Sequence, residues 1–235
     1  MAMNMEHTHK QFDAELERIR TGVLTMGGLV ESQIVRAMEG LKTGNLELLE
    51  EVILQDREVN RMNVELDDAC GHIIVLRQPA AIDLRLVMTV MRTVADLERI
   101  GDEAKKIAKA ARRLHSGTVP YRGQVDLSRT ADVAVSMLRQ ALDGFARADS
   151  SAAETVEKQD DQVDAAFKAT MRQLITFMME DPRTISASLE VLFIAKAIER
   201  IGDHAKNISE YVVFMTQGID VRYPKSTAEE GQSEN

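Results

Sequence analysis

The pentapeptide Glu-Arg-Ile-Gly-Asp occurs twice in this chain, at residues 98–102 and again at residues 199–203. The repeat extends to "ERIGDEAKKI" and "ERIGDHAKNI", which are identical at eight of ten positions. Upstream, "AMEGLKTGN" at 37–45 aligns with "ALDGFARAD" at 141–149, and "VILQDREVN" at 52–60 aligns with "VEKQDDQVD" at 156–164. Matches that keep their order along the chain predict an internal duplication, so the fold should consist of two similar halves.

The residue pattern of each half predicts three α-helices. Apolar residues recur every three or four positions, the chain has only four prolines, and no segment alternates steadily between apolar and polar residues. The predicted helices of the first half span about 6–41, 45–78 and 79–116, and those of the second begin at 126, near 150 and at 182. Asn45 and Asp126 are the expected N-caps, and Pro79 and Pro182 suit the first turn of a helix, where a backbone N–H has no partner.

These helices predict an all-α fold of two tandem three-helix bundles with antiparallel neighbours. The first bundle should span 1–116 and the second 126–218. A linker at 117–125 separates them, because it holds Gly117, Pro120 and Gly123, and a flexible polar tail should follow at 219–235. The glycines at 22, 27 and 28 are expected weak points of the first helix.

Composition narrows the class of protein. A net charge of −9 and a pI near 5.2 argue against nucleic-acid binding, which needs a basic surface. The longest uncharged run, Thr21 to Val30, has ten residues, about half of what a membrane-spanning helix needs. The N-terminus turns charged almost at once and does not read as a signal peptide. The single cysteine, Cys70, fits a buried residue in a reducing compartment, so we expect a cytoplasmic protein.

The repeated motif places paired carboxylates on one helix face. Glu98 and Asp102 are four residues apart, which leaves their side chains only ~40° apart around a helix, and Glu199 and Asp203 repeat the spacing. Two like charges at this spacing cost about 0.2–0.5 kcal/mol unless a cation lies between them. Steps of seven back from each glutamate reach apolar residues, which predicts that both pairs face the bundle seam or its rim.

The second helix of each half offers a matching pair of oxygen ligands, Asp56 with Asn60 and Asp160 with Asp164. Carboxylates on adjacent helices can bind a hard cation such as Mg²⁺, Mn²⁺ or Ca²⁺, or an iron cluster. One metal site per bundle is therefore predicted, and Asn60 should make the first site the weaker. The candidate ligands are Asp56, Glu98, Asp102, Asp160, Asp164, Glu199 and Asp203.

Three alternatives stay open at this level. The charges can be solvated helix charges paired in salt bridges, Arg99 with Asp102, Asp102 with Lys106 and Arg200 with Asp203. A di-iron oxidase or metal-storage bundle would need E-x-x-H on each of two helices, which neither bundle supplies. A purely structural helical scaffold would need no site.

His204 points ~100° away from Asp203 on a helix, which predicts a packing or surface histidine.

The chain shows no phosphate loop, nucleophile elbow or cysteine pair, so we expect a protein that is not an enzyme and that acts by binding other proteins.

Taken together, the motifs resemble those of the PhoU family, the phosphate-specific transport system accessory proteins. The resemblance runs from about Glu15 to Gly218 and rests on "QPAAIDLR" at 78–85, "DLERIGDEAKKIA" at 96–108 and "IERIGDHAKNISEY" at 198–211. It implies two three-helix bundles, often dimeric, and paired E(D)xxxD motifs that hold metal clusters. Asp160-Asp164 matches those motifs, as do both copies of Glu-Arg-Ile-Gly-Asp, whereas Asp56-Asn60 departs from them.

The resemblance also implies a function. A family member restrains a phosphate-starvation regulon and adjusts phosphate uptake without being an enzyme. Its expected partners are the ATPase subunit of the phosphate ABC transporter and the membrane-bound sensor histidine kinase of the regulon, which it would bridge.

Overall fold

The computed structural model of the chain describes residues 2–117 and 125–221, with side chains from Lys10 onward. Six α-helices account for nearly all of these residues, and no strand occurs among them. The helices are α1 Ala2–Thr43, α2 Leu46–Arg77, α3 Ala81–Ser116, α4 Ser128–Arg147, α5 Ala153–Glu180 and α6 Ile185–Gln217. α1 to α3 form one bundle and α4 to α6 the other, so the predicted all-α fold of two duplicated three-helix bundles is confirmed.

The helix ends follow local chemistry, although two predicted starts are wrong. Asn45 caps α2 as predicted, since its side chain accepts a hydrogen bond from the Leu48 N–H at 3.1 Å. Pro79 lies before α3 instead of inside its first turn, because the chain uses 78–80 to reverse direction between antiparallel helices. Asp126 accepts from the Ser128 N–H at 2.9 Å, but the N-cap position of α4 belongs to Leu127.

The start and end of α6 match their sequence signals more closely. Pro182 opens a single 3₁₀ turn, Pro182–Thr184, that leads into α6. Gly218 ends α6 in the left-handed conformation at φ 75°, where a residue without a side chain is the least strained.

Two of the three glycines expected as weak points of α1, Gly22 and Gly27, mark close helix contacts. α1 runs without interruption through all three of them. A side chain on Gly22 would overlap Leu66 of α2, and one on Gly27 would reach Leu142 of α4 at 2.5 Å. Each of these two glycines therefore lets a leucine of a neighbouring helix approach the α1 backbone.

The two bundles pack through an antiparallel pair, α3 and α6, which make the most extensive helix contact in the fold. Arg113 of α3 binds Glu190 of α6 at 2.7 Å near one end, and Thr89 donates a hydrogen bond to the Tyr211 carbonyl at 3.5 Å toward the other. α1 and α4 also contact each other. Within the described part of the chain, the flanking helices α2 and α5 contact only elements of their own bundle, so they form its two outer sides.

The predicted linker and tail fall largely on 118–124 and 222–235, which lie outside the described residues, so the domain boundaries stay predictions. Among the described helices, none is both long and apolar enough to cross a membrane.

Cys70 is buried, as predicted, and its burial and the nearby Asp67 raise the pKa of the thiol to about 12.

Candidate metal centres

The two copies of Glu-Arg-Ile-Gly-Asp lie side by side where α3 crosses α6. The glycine of each copy faces the flanking helix of its own bundle. A Cβ on Gly101 would lie 3.2 Å from Val59 of α2, and one on Gly202 would lie 3.5 Å from both Asp160 and Val163 of α5. The missing side chain lets the flanking helix approach, so that carboxylates from two helices meet along each seam.

The second bundle brings three predicted ligands together. Asp164 of α5 and Glu199 and Asp203 of α6 each offer a carboxylate oxygen, and the three oxygens lie within 4.8 Å of one another. Glu199 is only 9% exposed, whereas Asp203 lies at the solvent-facing rim. We call this group, with the adjacent Asp160, the second cluster.

The electrostatics of the second cluster favour a cation. Burial, together with the charges of Glu199, Asp160 and Asp164, raises the pKa of Asp203 to about 6. A carboxyl group whose pKa rises in this way is destabilised in its charged form, and a bound cation would reverse that effect. Hard cations prefer ligands that are all oxygen atoms. The second cluster offers only carboxylate oxygens, and Glu199 is buried.

The first cluster consists of Asp56 of α2 with Glu98 and Asp102 of α3, and its carboxylates do not form such a three-oxygen group in the described residues. Asp56 is 3% exposed, and its Oδ2 accepts from Lys105 Nζ at 2.5 Å and from the Asn60 amide at 3.2 Å. Burial, followed by the charge of Asp102, raises the pKa of Glu98. The Asp56 Oδ1 atom is buried without a hydrogen-bond partner.

Both clusters contain a lysine that the sequence reading overlooked. Lys105 binds Asp56 in the first bundle, and Lys206, at the matching position of the repeat, binds Asp160 at 3.0 Å in the second. The signal was present, because both copies of the motif continue with alanine and lysine, as "DEAK" and "DHAK".

The apolar positions that precede the glutamates lie at the rim of each seam. Met91 is 36% exposed and Ile185 is 41% exposed, while Leu84 and Leu192 are half-buried.

The three salt bridges named in the salt-bridge alternative do not form among the described residues, and the same charges have other partners. Arg99 approaches its neighbour Glu98 at 3.5 Å, and Asp102 contacts Lys105 at 3.7 Å instead of Lys106. Arg200 reaches across to Glu103 of α3 at 3.3 Å instead of pairing with Asp203. The crossing of α3 and α6 explains the last change, since it brings a buried carboxylate of one bundle next to an arginine of the other.

A second cross-bundle contact involves His204. Its Nδ1 lies 2.6 Å from Asp96 of α3, and the Asn207 amide also approaches that carboxylate at 3.4 Å. His204 is therefore a packing histidine at the bundle interface, and the three-oxygen group of the second bundle contains no histidine among the described residues.

Fold and site together define a class of protein, a duplicated pair of three-helix bundles with a carboxylate–lysine cluster on the outer seam of each bundle. The PhoU domain model matches residues 23–111 and 127–212, one copy per bundle. This chain therefore belongs to the PhoU family.

Individual relatives agree over nearly the whole chain. The "Phosphate-specific transport system accessory protein PhoU homolog" of Pseudomonas putida is 45% identical over 217 residues, which cover 92% of this chain and 85% of that protein. The protein named "Phosphate-specific transport system accessory protein PhoU" from Escherichia coli K12 is 44% identical over 93% of this chain and 90% of its own length. The crystal structure of PhoU from Pseudomonas aeruginosa superimposes with a TM-score of 0.85 at 42% identity, covering 88% of this chain and all of that one.

Proposed function

We propose that this chain is a regulator of phosphate homeostasis that acts on the phosphate-specific transport system. The observation that carries the proposal is the match of both bundles to the PhoU domain, together with relatives that are named as accessory proteins of that system. Accessory proteins of a transporter act by contact, which agrees with a fold that consists almost entirely of packed helices in the described residues.

More specifically, we propose that the chain is a negative regulator of the phosphate regulon that contacts two partner proteins at once. In this proposal the chain works in the cytoplasm as a homodimer. It contacts the ATPase subunit of the phosphate ABC transporter and the sensor histidine kinase of the regulon, and keeps the kinase in its phosphatase state when phosphate is plentiful. The two similar bundles support the idea, because a duplicated protein presents two similar outer sides, one carried by α2 and one by α5.

A deletion strain tests the regulatory role. Cells that lack this protein should produce alkaline phosphatase in high phosphate, and the gene supplied in trans should restore repression. Purified protein should also retain both the ATPase subunit and the kinase's cytoplasmic part, more strongly at low salt, since exposed charges are screened beyond ~10 Å at about 0.1 M salt. Repression that persists in the deletion strain would refute the role.

We propose further that the clusters bind divalent metal ions or an iron cluster, which would bring carboxylates of two helices together and stiffen each seam. The close grouping of Asp164, Glu199 and Asp203 supports this. Elemental analysis of protein purified without a tag or chelator should find at least one metal per chain. The Glu98→Gln variant should lose the metal of the first bundle, and Glu199→Gln should lose that of the second. Unchanged metal content and unchanged regulation in both variants would favour a purely structural scaffold.

A further inference from the structure

The two clusters differ in the number of their carboxylates but have the same net charge. The first cluster has three carboxylates and the second has four, because Asp164 stands where the first bundle has Asn60. Among the residues whose side chains the structure describes, the cations within 4.0 Å of these carboxylates are Lys105 and Arg99 in the first cluster and Lys168, Lys196 and Lys206 in the second. Each cluster therefore keeps one uncompensated negative charge, and the extra carboxylate of the second cluster is matched by one extra cation.

Two lysines of the second cluster, Lys168 and Lys196, have no counterpart in the first cluster. Of these two, Lys196 makes the closer contact with a carboxylate. The side chain of Lys168 is 62% exposed and approaches Asp164 only at 3.6 Å. Lys196 is less exposed, at 41%, and its ammonium group contacts both carboxylate oxygens of Glu199. The same ammonium group lies 5.2 Å from the centre of the Phe167 ring, a distance at which a ring face attracts a cation.

The first bundle has neither part of this arrangement. The repeat aligns Lys196 with Ala95 and Phe167 with Asn63. Ala95 is exposed and carries no charge, so nothing in the first cluster neutralises Glu98 from that position. The second bundle thus has both a cation and an aromatic support for it, directly beside three converging carboxylate oxygens.

The contact between Lys196 and Glu199 has a consequence for metal binding. A divalent ion needs carboxylate oxygens at about 2.0–2.6 Å. In Glu199, Oε1 already accepts a hydrogen bond from the ammonium group, which also lies within ion-pair distance of Oε2, a buried oxygen that accepts no hydrogen bond. The ammonium group and a divalent ion would therefore compete for the same oxygens.

We propose that Lys196 is a built-in counter-cation of the second cluster, which a divalent metal ion must displace from Glu199 in order to bind. Two residues of the second cluster then act on its metal affinity in opposite directions. The carboxylate of Asp164 raises the affinity for a divalent ion, and the ammonium group of Lys196 lowers it. This inference rests on the metal-binding role proposed above. It also changes the expectation that Asn60 makes the first cluster the weaker one, because the first cluster has no equivalent competitor.

Mn²⁺ titration of metal-free protein, followed by the electron paramagnetic resonance signal of free Mn²⁺, tests the proposal. A Glu98→Gln background removes the first cluster, so that only the second is counted. In that background Lys196→Met should bind Mn²⁺ about tenfold more tightly, since it removes a positive charge next to the ligands but keeps an apolar chain against Phe167. The matched control, Lys158→Met, removes an exposed α5 lysine that pairs with Glu154 and should leave the affinity within about twofold.

The reciprocal variant moves the lysine into the first bundle. In a Glu199→Gln background, which removes the second cluster, Ala95→Lys should weaken Mn²⁺ binding by about tenfold. Circular dichroism of every variant should show an unchanged helical fold, and the reciprocal pair keeps the test informative if one variant fails to fold.

The outcomes separate this inference from the proposed function. Tighter binding by Lys196→Met supports the inference, including the case in which the parent protein binds too weakly to measure. If the parent binds Mn²⁺ and Lys196→Met binds equally well or less well, Lys196 does not compete and the inference is overturned. If no variant binds Mn²⁺ at millimolar concentration, the metal-binding role fails, and this inference fails with it.

Discussion

Adding one methyl group to each copy of the repeated motif should change stability in opposite directions. Replacing a helix-interior glycine by alanine stabilises a helix by about 0.5–1 kcal/mol, because alanine loses less backbone freedom on folding. The Gly202→Ala methyl would lie 3.5 Å from both Asp160 and Val163, which is ordinary van der Waals contact. That variant should therefore gain the helix term and unfold at higher urea concentration.

The same substitution at Gly101 meets a tighter seam. Its methyl would lie 3.2 Å from a Val59 methyl and 3.4 Å from the fully buried Gln33 side chain. A valine side chain has little rotamer freedom in a helix, so the two helices must separate slightly, and overpacking of this kind costs about 1–3 kcal/mol. Gly101→Ala should be destabilised by about 1 kcal/mol overall after the helix term is subtracted.

Urea unfolding followed by circular dichroism, with both variants measured against the parent protein, decides the matter. The sequence around the two glycines is the same pentapeptide, so local helix propensity cancels and the comparison isolates the packing of each seam. A Gly101→Ala protein at least as stable as Gly202→Ala would refute the claim that the first seam is the tighter one.

Three further predictions concern charge and burial. Asp203→Asn, measured with a chelator at pH 7, should raise the free energy of unfolding by about 1 kcal/mol, a value discounted because Asp203 is partly exposed. In the folded protein the pKa of Asp203 is about 6, above its ordinary value of 3.8, so the parent gains stability as the pH falls through 6. The difference in stability between the two proteins should therefore be smaller at pH 5, and a difference that does not narrow would contradict this. Lys105→Met should destabilise the protein by about 1–3 kcal/mol, and by more than Lys206→Met. The first variant leaves Asp56, whose side chain is 4% exposed, without its cation, whereas the second does the same to Asp160, whose side chain is 12% exposed. Equal losses of stability in thermal unfolding would contradict that order. Cys70 should not react with a thiol reagent in the native protein and should react in 8 M urea, because burial holds the pKa of its thiol near 12; rapid native labelling would mean that α2 opens readily.

The sequence predicted the parts of the fold that depend on neighbours along the chain. Helix period, the Asn45 cap and the glycine that ends α6 are local signals, and each acts within about one turn. The internal repeat also predicted the division into two bundles, since two segments of similar sequence must bury similar helix faces.

Contacts between elements were harder to predict. The pairing of Arg200 with Glu103 depends on how α3 crosses α6, and no spacing along either helix encodes that crossing. Lys105 and Lys206 were missed for a related reason, because each binds a carboxylate on another helix, whereas the sequence reading sought partners three or four residues away. The candidate ligands themselves could be predicted, since both pairs lie on single helices and the repeat marks which helices are neighbours.

The antiparallel contact of α3 with α6 has a consequence for how the chain is made. α6 begins about 70 residues after α3 ends, so at a synthesis rate of ~5–20 residues per second the ribosome takes about 4–14 s to reach it. During that time the first bundle can close around its own core, but the face of α3 that α6 will cover has no partner. A nascent chain that stalls before Ile185 therefore presents an apolar helix face to chaperones. α6, the last of the described helices to be synthesised, is the one that completes both halves of the protein.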